Sequence, residues 1–378
     1  MIQSEVLLEW GRRIDVTGPR STMRGRPRNQ RMSAAKPVSS NSFELSAFDR
    51  LAQFLQNTHD LKGGIIALTP DASTREYFRI PWKKRTAVAA VYPDPFDPDI
   101  HPYLDVTRLF LTADIPVPET LAVDGAQGII VQEDLGDRQL FQVYEAASEE
   151  ECEEFKERAI SVIARIQNAT GKAFASDSIS SRLAFDETKL AWELDFFTEH
   201  YFKSLRAEKL RHGEAAELKA ELNDLAAELA AVPRVLCHRD FHASNLMVDS
   251  KKRLRVVDHQ DARMGPATYD LVSFLLDRQP CTPSLAELRH HRLYFLEERR
   301  LLGLSALDPD EFAREFRLMT VQRGLKAVGT FSCQTAVYGR GAAYERFIEP
   351  TFQIVLQAAQ WLERFPVLQR MIAVRIKG

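Results

Sequence analysis

Residues 235–277 read VLCHRDFHASNLMVDSKKRLRVVDHQDARMGPATYDLVSFLLD. The apolar start predicts a strand that delivers His238, Asp240 and Asn245 onto a loop. A hairpin follows, with its turn at Ser250–Arg253, and Asp258 ends its second strand, LRVV. These side chains form a chemical set. Asp240 can accept or orient a hydroxyl proton. Asn245 offers an amide oxygen and Asp258 a carboxylate, the hard oxygen donors that suit Mg²⁺. Phosphoryl transfer asks for alignment and charge neutralisation rather than covalent chemistry by the protein, and one Asp near the nucleophile with an Asn and a second Asp on metal meets that need.

Upstream, SAFDRLAQFLQNT places Phe48, Leu51, Phe54 and Leu55 on one helical face. GGIIALTPDAS, REYFRIPW and RTAVAAVYP follow, apolar runs rich in β-branched and aromatic residues and bounded by Gly and Pro. They predict three strands. A helix around Tyr103–Ala113 and two more strands, TLAVD and GIIVQED, complete a small sheet with one helix. From about residue 140 the pattern is helical. EAASEEECEEFKERAISVIARIQNAT is acidic in its first turn, as the helix dipole favours. Further helices fit 186–207 and 213–231, the latter stopped by Pro233, and everything after Tyr269 reads as helix.

The chain has 378 residues, with 50 Lys and Arg against 53 Asp and Glu and a formal charge of −3. Of that, residues 1–40 carry +5, leaving −8 on the remainder. Pro19, Pro27 and Pro37 among Ser and Arg predict a basic, disordered tail over 1–40. The mildly acidic body lacks the dense basic stripe that tracks a nucleic-acid backbone. Cys152, Cys237, Cys281 and Cys333 are too far apart for a C-x-x-C zinc site and read as reduced thiols. No apolar run approaches the ~18 residues of a membrane span, and the N-terminus lacks a signal-peptide core, so the expected location is the cytoplasm.

H-x-D-x-x-x-x-N, here HRDFHASN, followed by Asp in VVDHQD, resembles the catalytic and metal loops of the kinase-like fold. With Asp261 and MGPATYDLVSFLLD downstream, the chain is similar to the aminoglycoside phosphotransferase and choline kinase superfamily. The resemblance implies an α+β, two-lobed protein-kinase-like fold: a small N-terminal β-sheet lobe with one helix over 41–136, and a larger, mainly helical C-terminal lobe over 137–378. It implies ATP and Mg²⁺ between the lobes, Asp240 as catalytic base, and Asn245 and Asp258 on metal. His238, Asp261 and Asp270 become supports of the catalytic loop. PDASTREYFRI then corresponds to a phosphate-covering turn, with Ser73, Thr74, Arg75 and Arg79 facing the nucleotide, and Gln132, Glu133 and Leu135 to the hinge that meets the adenine edge. Many members carry a phosphate-binding lysine on the third strand; TAVAAVY has none. Arg75 and Arg79 are the expected substitutes, Lys83 and Lys84 being the other cations nearby. His242 and His259 lie close to the motif, but without a helical spacing for zinc.

DASTREYFRI, VYPDPFD, VVDHQDARMGPATYDLVSFLLD and QRGLKAVGTF further resemble bacterial cell-wall sugar kinases. Those enzymes phosphorylate the anomeric hydroxyl of N-acetylmuramate and N-acetylglucosamine in peptidoglycan recycling. In KLAWELDFFTEHYF, Glu193 and Phe197 are four apart and share a face, a carboxylate and a ring that suit a sugar. An amphipathic helix with Trp192, Phe196 and Phe197 in the core reads equally well. Arg323 and Lys326 are candidates for the lactyl carboxylate of N-acetylmuramate, or surface charges. The expectation is a monomeric ATP-dependent sugar 1-kinase with a small-molecule acceptor and neither nucleic acid nor membrane as partner. The alternatives are a kinase of the same fold acting on an aminoglycoside, a choline-like alcohol or another sugar, and a nucleotide-binding pseudokinase.

Overall fold

A computed structural model describes residues 45–58, 64–68, 74–278 and 283–376. The expected tail over 1–40, Ser73 and Cys281 lie outside the described residues. Two compact units make up the chain. One runs to Pro98 and includes Thr120–Asp134; the other holds Asp99–Glu119 and everything from Leu135 onward.

The first unit is helix α1 (Ala47–Thr58) and a five-stranded antiparallel sheet of β1 (Ile66–Leu68), β2 (Glu76–Trp82), β3 (Arg85–Val91), β4 (Thr120–Asp124) and β5 (Ile129–Glu133), in the order β1-β2-β3-β5-β4. Alternation along the strands sends Phe78, Ile80, Trp82, Ala87, Ala89, Val91, Ile129 and Val131 to one face, where Leu51, Phe54 and Leu55 of α1 cover them. Each fully buried large side chain contributes about 1.5–3 kcal/mol. Phe48, expected in this stripe, is 48% exposed. The buried stripe starts from Ala47 and continues through Leu51, Phe54 and Leu55, leaving Phe48 at its edge with only a ring-edge contact to Phe78 at 6.2 Å. The opposite sheet face carries a row set by register, Arg79 beside Val88 beside Gln132.

The second unit begins with α2 (Pro102–Thr112), which the sequence reading had grouped with the small sheet. Its partners explain the difference. Asp105 accepts hydrogen bonds from Ser178 Oγ (2.5 Å) and the Ile179 amide (2.9 Å), and Thr107 Oγ1 lies 2.6 Å from His259 Nε2. The principal helices that follow are α3 (Glu149–Asn168), α4 (Glu187–Phe197), α5 (His212–Ala231), α6 (Tyr269–Leu276), α7 (Leu285–Leu301), α8 (Pro309–Ala336), α9 (Ile348–Trp361) and α10 (Pro366–Arg375). A π-helical turn, Thr198–Leu205, continues α4. Ser148 caps α3 by accepting the Glu151 amide, and Asp308 caps α8 through the amides of Asp310 and Glu311.

Helix α8 is buried along almost all of Leu318–Gln334. Two glycines let neighbours approach it. A Cβ at Gly324 would sit 2.4 Å from Val355 Cγ2 on α9, and one at Gly329 would sit 2.8 Å from Phe197 Cα on α4. Two small antiparallel ladders, β6 (Arg234–Cys237) with β9 (Arg263–Pro266) and β7 (Leu246–Val248) with β8 (Leu254–Val256), hold the loop that begins at His238.

Candidate active site

The loop after β6 is fixed by one buried carboxylate. Asp270, in the first turn of α6, accepts the His238 amide at 2.6 Å through Oδ2 and the Arg239 amide at 3.0 Å through Oδ1. Burial outweighs those two bonds and raises the Asp270 carboxyl to about 7. Arg239 adopts a left-handed backbone, φ +85°, uncommon for a side-chain-bearing residue. The His238 ring is buried and its Nε2 lies 3.1 Å from the Val257 carbonyl oxygen, tying the loop to the segment before Asp258.

Asp240 follows at 3% exposure. Its Oδ2 lies 3.1 Å from Arg239 Nη1, which also donates to Asp261 Oδ2 at 2.9 Å. Its Oδ1 makes no hydrogen bond and stands 3.8 Å from Lys326 Nζ on α8. Burial alone would raise the Asp240 carboxyl; the charges of Arg239, Lys326 and Arg323 prevail and hold it well below the usual carboxylate range, so it is ionised.

Asn245 Nδ2 donates to the Asp240 carbonyl oxygen (2.9 Å) and stands 3.4 Å from Asp258 Oδ2. Asp258 is itself left-handed, φ +63°, and its Oδ1 accepts from Gln260 Nε2 at 2.9 Å. A carboxylate and an amide side by side, both buried, are hard oxygen donors of the kind that fits Mg²⁺. The two histidines near the motif have other roles. His259 packs against the rings of Tyr103 (4.9 Å) and Phe110 (5.6 Å). His242 is buried, and desolvation, then the charge of Arg278, lowers its pKa to about 3, leaving it neutral.

Opposite Asp240, α4 and α8 bring together four charged or polar side chains. Glu193 is fully buried; its Oε2 accepts from Gln322 Nε2 at 2.8 Å and its Oε1 has no hydrogen-bond partner. Its burial is offset by Lys326, Lys189 and Arg323, which lower its pKa. Arg323 donates to Tyr269 Oη (2.9 Å) and Ser273 Oγ (2.7 Å). Arg323 and Lys326 are 4% and 2% exposed, which removes the surface-charge reading of both. Burial, then the charge of Arg323, lowers the Lys326 pKa to about 7.

Phe197 is placed elsewhere. It is 1% exposed, with its ring against Tyr201 (5.8 Å), Phe202 (5.5 Å) and Phe352 (6.2 Å). A ring so enclosed is a core side chain here, the alternative that the sequence leaves open for this helix. Trp192, one residue before Glu193, is half-buried instead, with Lys189 Nζ 4.1 Å from its ring. Gln322, Lys189 and Arg239 were not singled out from sequence. The signal for Gln322 and its neighbours was polar residues interrupting the long apolar run of α8.

In the first unit, Arg79 is bound bidentately by Asp134, Nε to Oδ2 at 2.7 Å and Nη2 to Oδ1 at 3.1 Å. Its charge is therefore already answered by a carboxylate. Arg75 is buried against the rings of Tyr77 and Tyr92. Thr74 is exposed, Gln132 and Glu133 are half-buried at the end of β5, and Leu135 is buried at the start of the next segment. Among the described residues, no helix is long and apolar enough to cross a membrane.

The five-stranded antiparallel sheet of the first unit and the largely helical second unit are those of the kinase-like fold. The family model of the phosphotransferase enzyme family (APH) matches residues 64–304, and the chain belongs to that family. Two curated relatives are named N-acetylmuramate/N-acetylglucosamine kinase. The one from Neisseria meningitidis is 30% identical over 69% of this chain and 76% of its own length; the one from Pseudomonas aeruginosa is 30% identical over 71% and 76%. Solved structures share the fold. A choline kinase from Streptococcus pneumoniae has a TM-score of 0.52 at 11% identity, covering 85% of this chain and all of its own. A spectinomycin phosphotransferase in complex with ADP and spectinomycin has a TM-score of 0.51 at 12% identity, covering 87% and 98%.

Proposed function

We propose that this phosphotransferase is an ATP-dependent kinase of N-acetylated amino sugars. It transfers the γ-phosphoryl group to the anomeric hydroxyl of N-acetylmuramate, N-acetylglucosamine or both, in cytoplasmic peptidoglycan recycling. The observation that carries the reading is the buried constellation of Asp240, Asn245 and Asp258 with Glu193 and Gln322 on the acceptor side. The names of the curated relatives point to the same sugars.

In this reading Asp240 orients the sugar hydroxyl and takes its proton. Arg239 and Asp261 keep the Asp240 carboxylate in place, and His238 and Asp270 keep the loop in place. Asn245 and Asp258 would hold Mg²⁺, which neutralises charge on the nucleotide phosphates when bound. Glu193 accepts sugar hydroxyls through Oε1, a buried oxygen with no hydrogen-bond partner in the structure, and Arg323, bonded to Tyr269 and Ser273, sets the electrostatics of that wall. Thr74, Arg75, Gln132, Glu133 and Leu135 remain the nucleotide-side residues. Arg79 joins them only by leaving Asp134.

The test is an ADP-release assay over amino sugars, neutral sugars, amino alcohols and aminoglycosides, with the position of the new phosphate read by ³¹P NMR. A sugar 1-phosphate from N-acetylmuramate or N-acetylglucosamine is expected. Turnover confined to a non-sugar alcohol refutes the acceptor assignment. ATP binding without turnover on any acceptor returns the pseudokinase alternative.

A further inference from the structure

We propose that Lys326 is a catalytic residue, donating a hydrogen bond to the acceptor hydroxyl from the side opposite Asp240. The inference rests on the kinase reading above and adds to it a residue 86 positions after Asp240.

Lys326 lies in the middle of the most buried stretch of α8, at 2% exposure. A lysine there loses hydration that only a nearby anion restores, and an apolar side chain of similar length would fill the space more favourably. The anions are present: Asp240 Oδ1 is 3.8 Å from Nζ, and Glu193 is also close enough to act on its charge. Yet 3.8 Å is too long for a hydrogen bond. Oδ1 makes none, while the other oxygen of the same carboxylate is held by Arg239 at 3.1 Å. One Asp240 oxygen is thus anchored and the other is left facing an amine across a gap.

The gap has a size. An oxygen about 2.8 Å from both Oδ1 and Nζ would lie beside the line joining them. A hydroxyl there donates its proton to Oδ1 and accepts an N–H from Lys326, which the amine offers in either protonation state. As the bond from the acceptor oxygen to the γ-phosphorus forms, the bond from that phosphorus to the β–γ bridging oxygen breaks. The hydroxyl proton passes to Asp240 Oδ1 and ADP leaves. The N–H of Lys326 faces the oxygen on which charge develops, so its hydrogen bond is stronger in the transition state than in the ground state.

The competing role for Lys326 is an anchor for the lactyl carboxylate of N-acetylmuramate. That role makes it matter for KM on one sugar alone. Catalysis makes it matter for kcat on every acceptor. Steady-state kinetics of Lys326→Met and Lys326→Arg on N-acetylmuramate and N-acetylglucosamine, with ATP binding measured alongside, separate the two. The expected result for Lys326→Met is a fall in kcat of ~100-fold or more on both sugars, KM for sugar within ~3-fold and ATP binding unchanged, with partial recovery in Lys326→Arg. A kcat within ~3-fold of the parent, or a loss confined to KM for N-acetylmuramate, overturns the proposal. If Lys326→Met does not fold, Lys326→Arg decides: it keeps the charge but moves the donors, so an undiminished kcat overturns the role. If the parent turns over neither sugar but another alcohol, the sugar assignment fails alone, and the same kcat comparison on that alcohol still tests Lys326.

Discussion

Asp270 accepts the backbone N–H of Arg239 at 3.0 Å, and Arg239 is held at φ +85°. A buried carboxylate from one helix thereby secures a backbone conformation that costs roughly 1–3 kcal/mol, immediately before Asp240. The side chain of the same Arg239 pairs with Asp240 at 3.1 Å and Asp261 at 2.9 Å.

Asp240→Asn is expected to lower kcat by ~10²–10⁴-fold, because the amide cannot take the hydroxyl proton. ATP affinity should remain near the parent value, since the residues proposed for nucleotide and metal are untouched. Turnover rates and ATP titrations of the purified variant check both halves. Near-parental turnover contradicts the assigned role.

Asp270 gives a pH signature. Its native carboxyl sits at about 7 and its ordinary value is 3.8, so between those values the folded chain holds a proton that the unfolded chain has released. Stability from this group is therefore full below about pH 4 and declines as pH rises to about 7. Asp270→Asn removes the titration. Denaturant unfolding of parent and variant should show a stability difference that shrinks between pH 4.5 and pH 7.5; a difference that grows with pH reverses the assignment.

Glu193→Gln keeps the bond geometry to Gln322 but removes a negative charge among Lys189, Arg323 and Lys326. Sugar KM is expected to rise ~10-fold, about 1.4 kcal/mol, with ATP KM unchanged. Glu193→Ala should in addition destabilise the fold by about 3–5 kcal/mol, because buried cations lose their partner. Michaelis analysis in both substrates and thermal unfolding distinguish the two effects.

Phe197 and Gly329 test packing rather than binding. Phe197→Ala should destabilise by about 3–5 kcal/mol through loss of an enclosed ring. Gly329→Ala should also destabilise, since its Cβ would press on the Phe197 backbone at 2.8 Å. Phe197→Leu, which keeps most of the volume, should bind sugar as the parent does. A selective rise in its sugar KM at unchanged melting temperature would put the ring back in the acceptor site.

The grouping of Asp240, Asn245 and Asp258, proposed here as the catalytic half of the site, was legible in the sequence for a physical reason. Asp240, Asn245 and Asp258 fall within one loop and one hairpin, so the chemistry they share appears as a fixed spacing, and the strands around them announce themselves by composition. The two-unit α+β organisation was legible too, because strands of alternating burial and capped amphipathic helices carry period and boundary signals. What the period could not show was which neighbours each element takes. Helix α2 lies between β3 and β4 in sequence, yet Asp105 and Thr107 tie it to the second unit.

The proposed acceptor side depended wholly on tertiary structure. Glu193 and Gln322 are 129 residues apart and meet only because Gly329 lets α8 cross close to α4. Helix α8 is enclosed along Leu318–Gln334, so a polar face and an apolar face cannot be told apart there by pattern, and Arg323 and Lys326 looked the same as surface cations. Sequence alone determined the transfer chemistry, since its groups are local and its spacing is set by one loop. Only the folded chain decided which buried charges gather around Asp240, because a lysine on a long helix meets the carboxylates beside it through long-range packing alone.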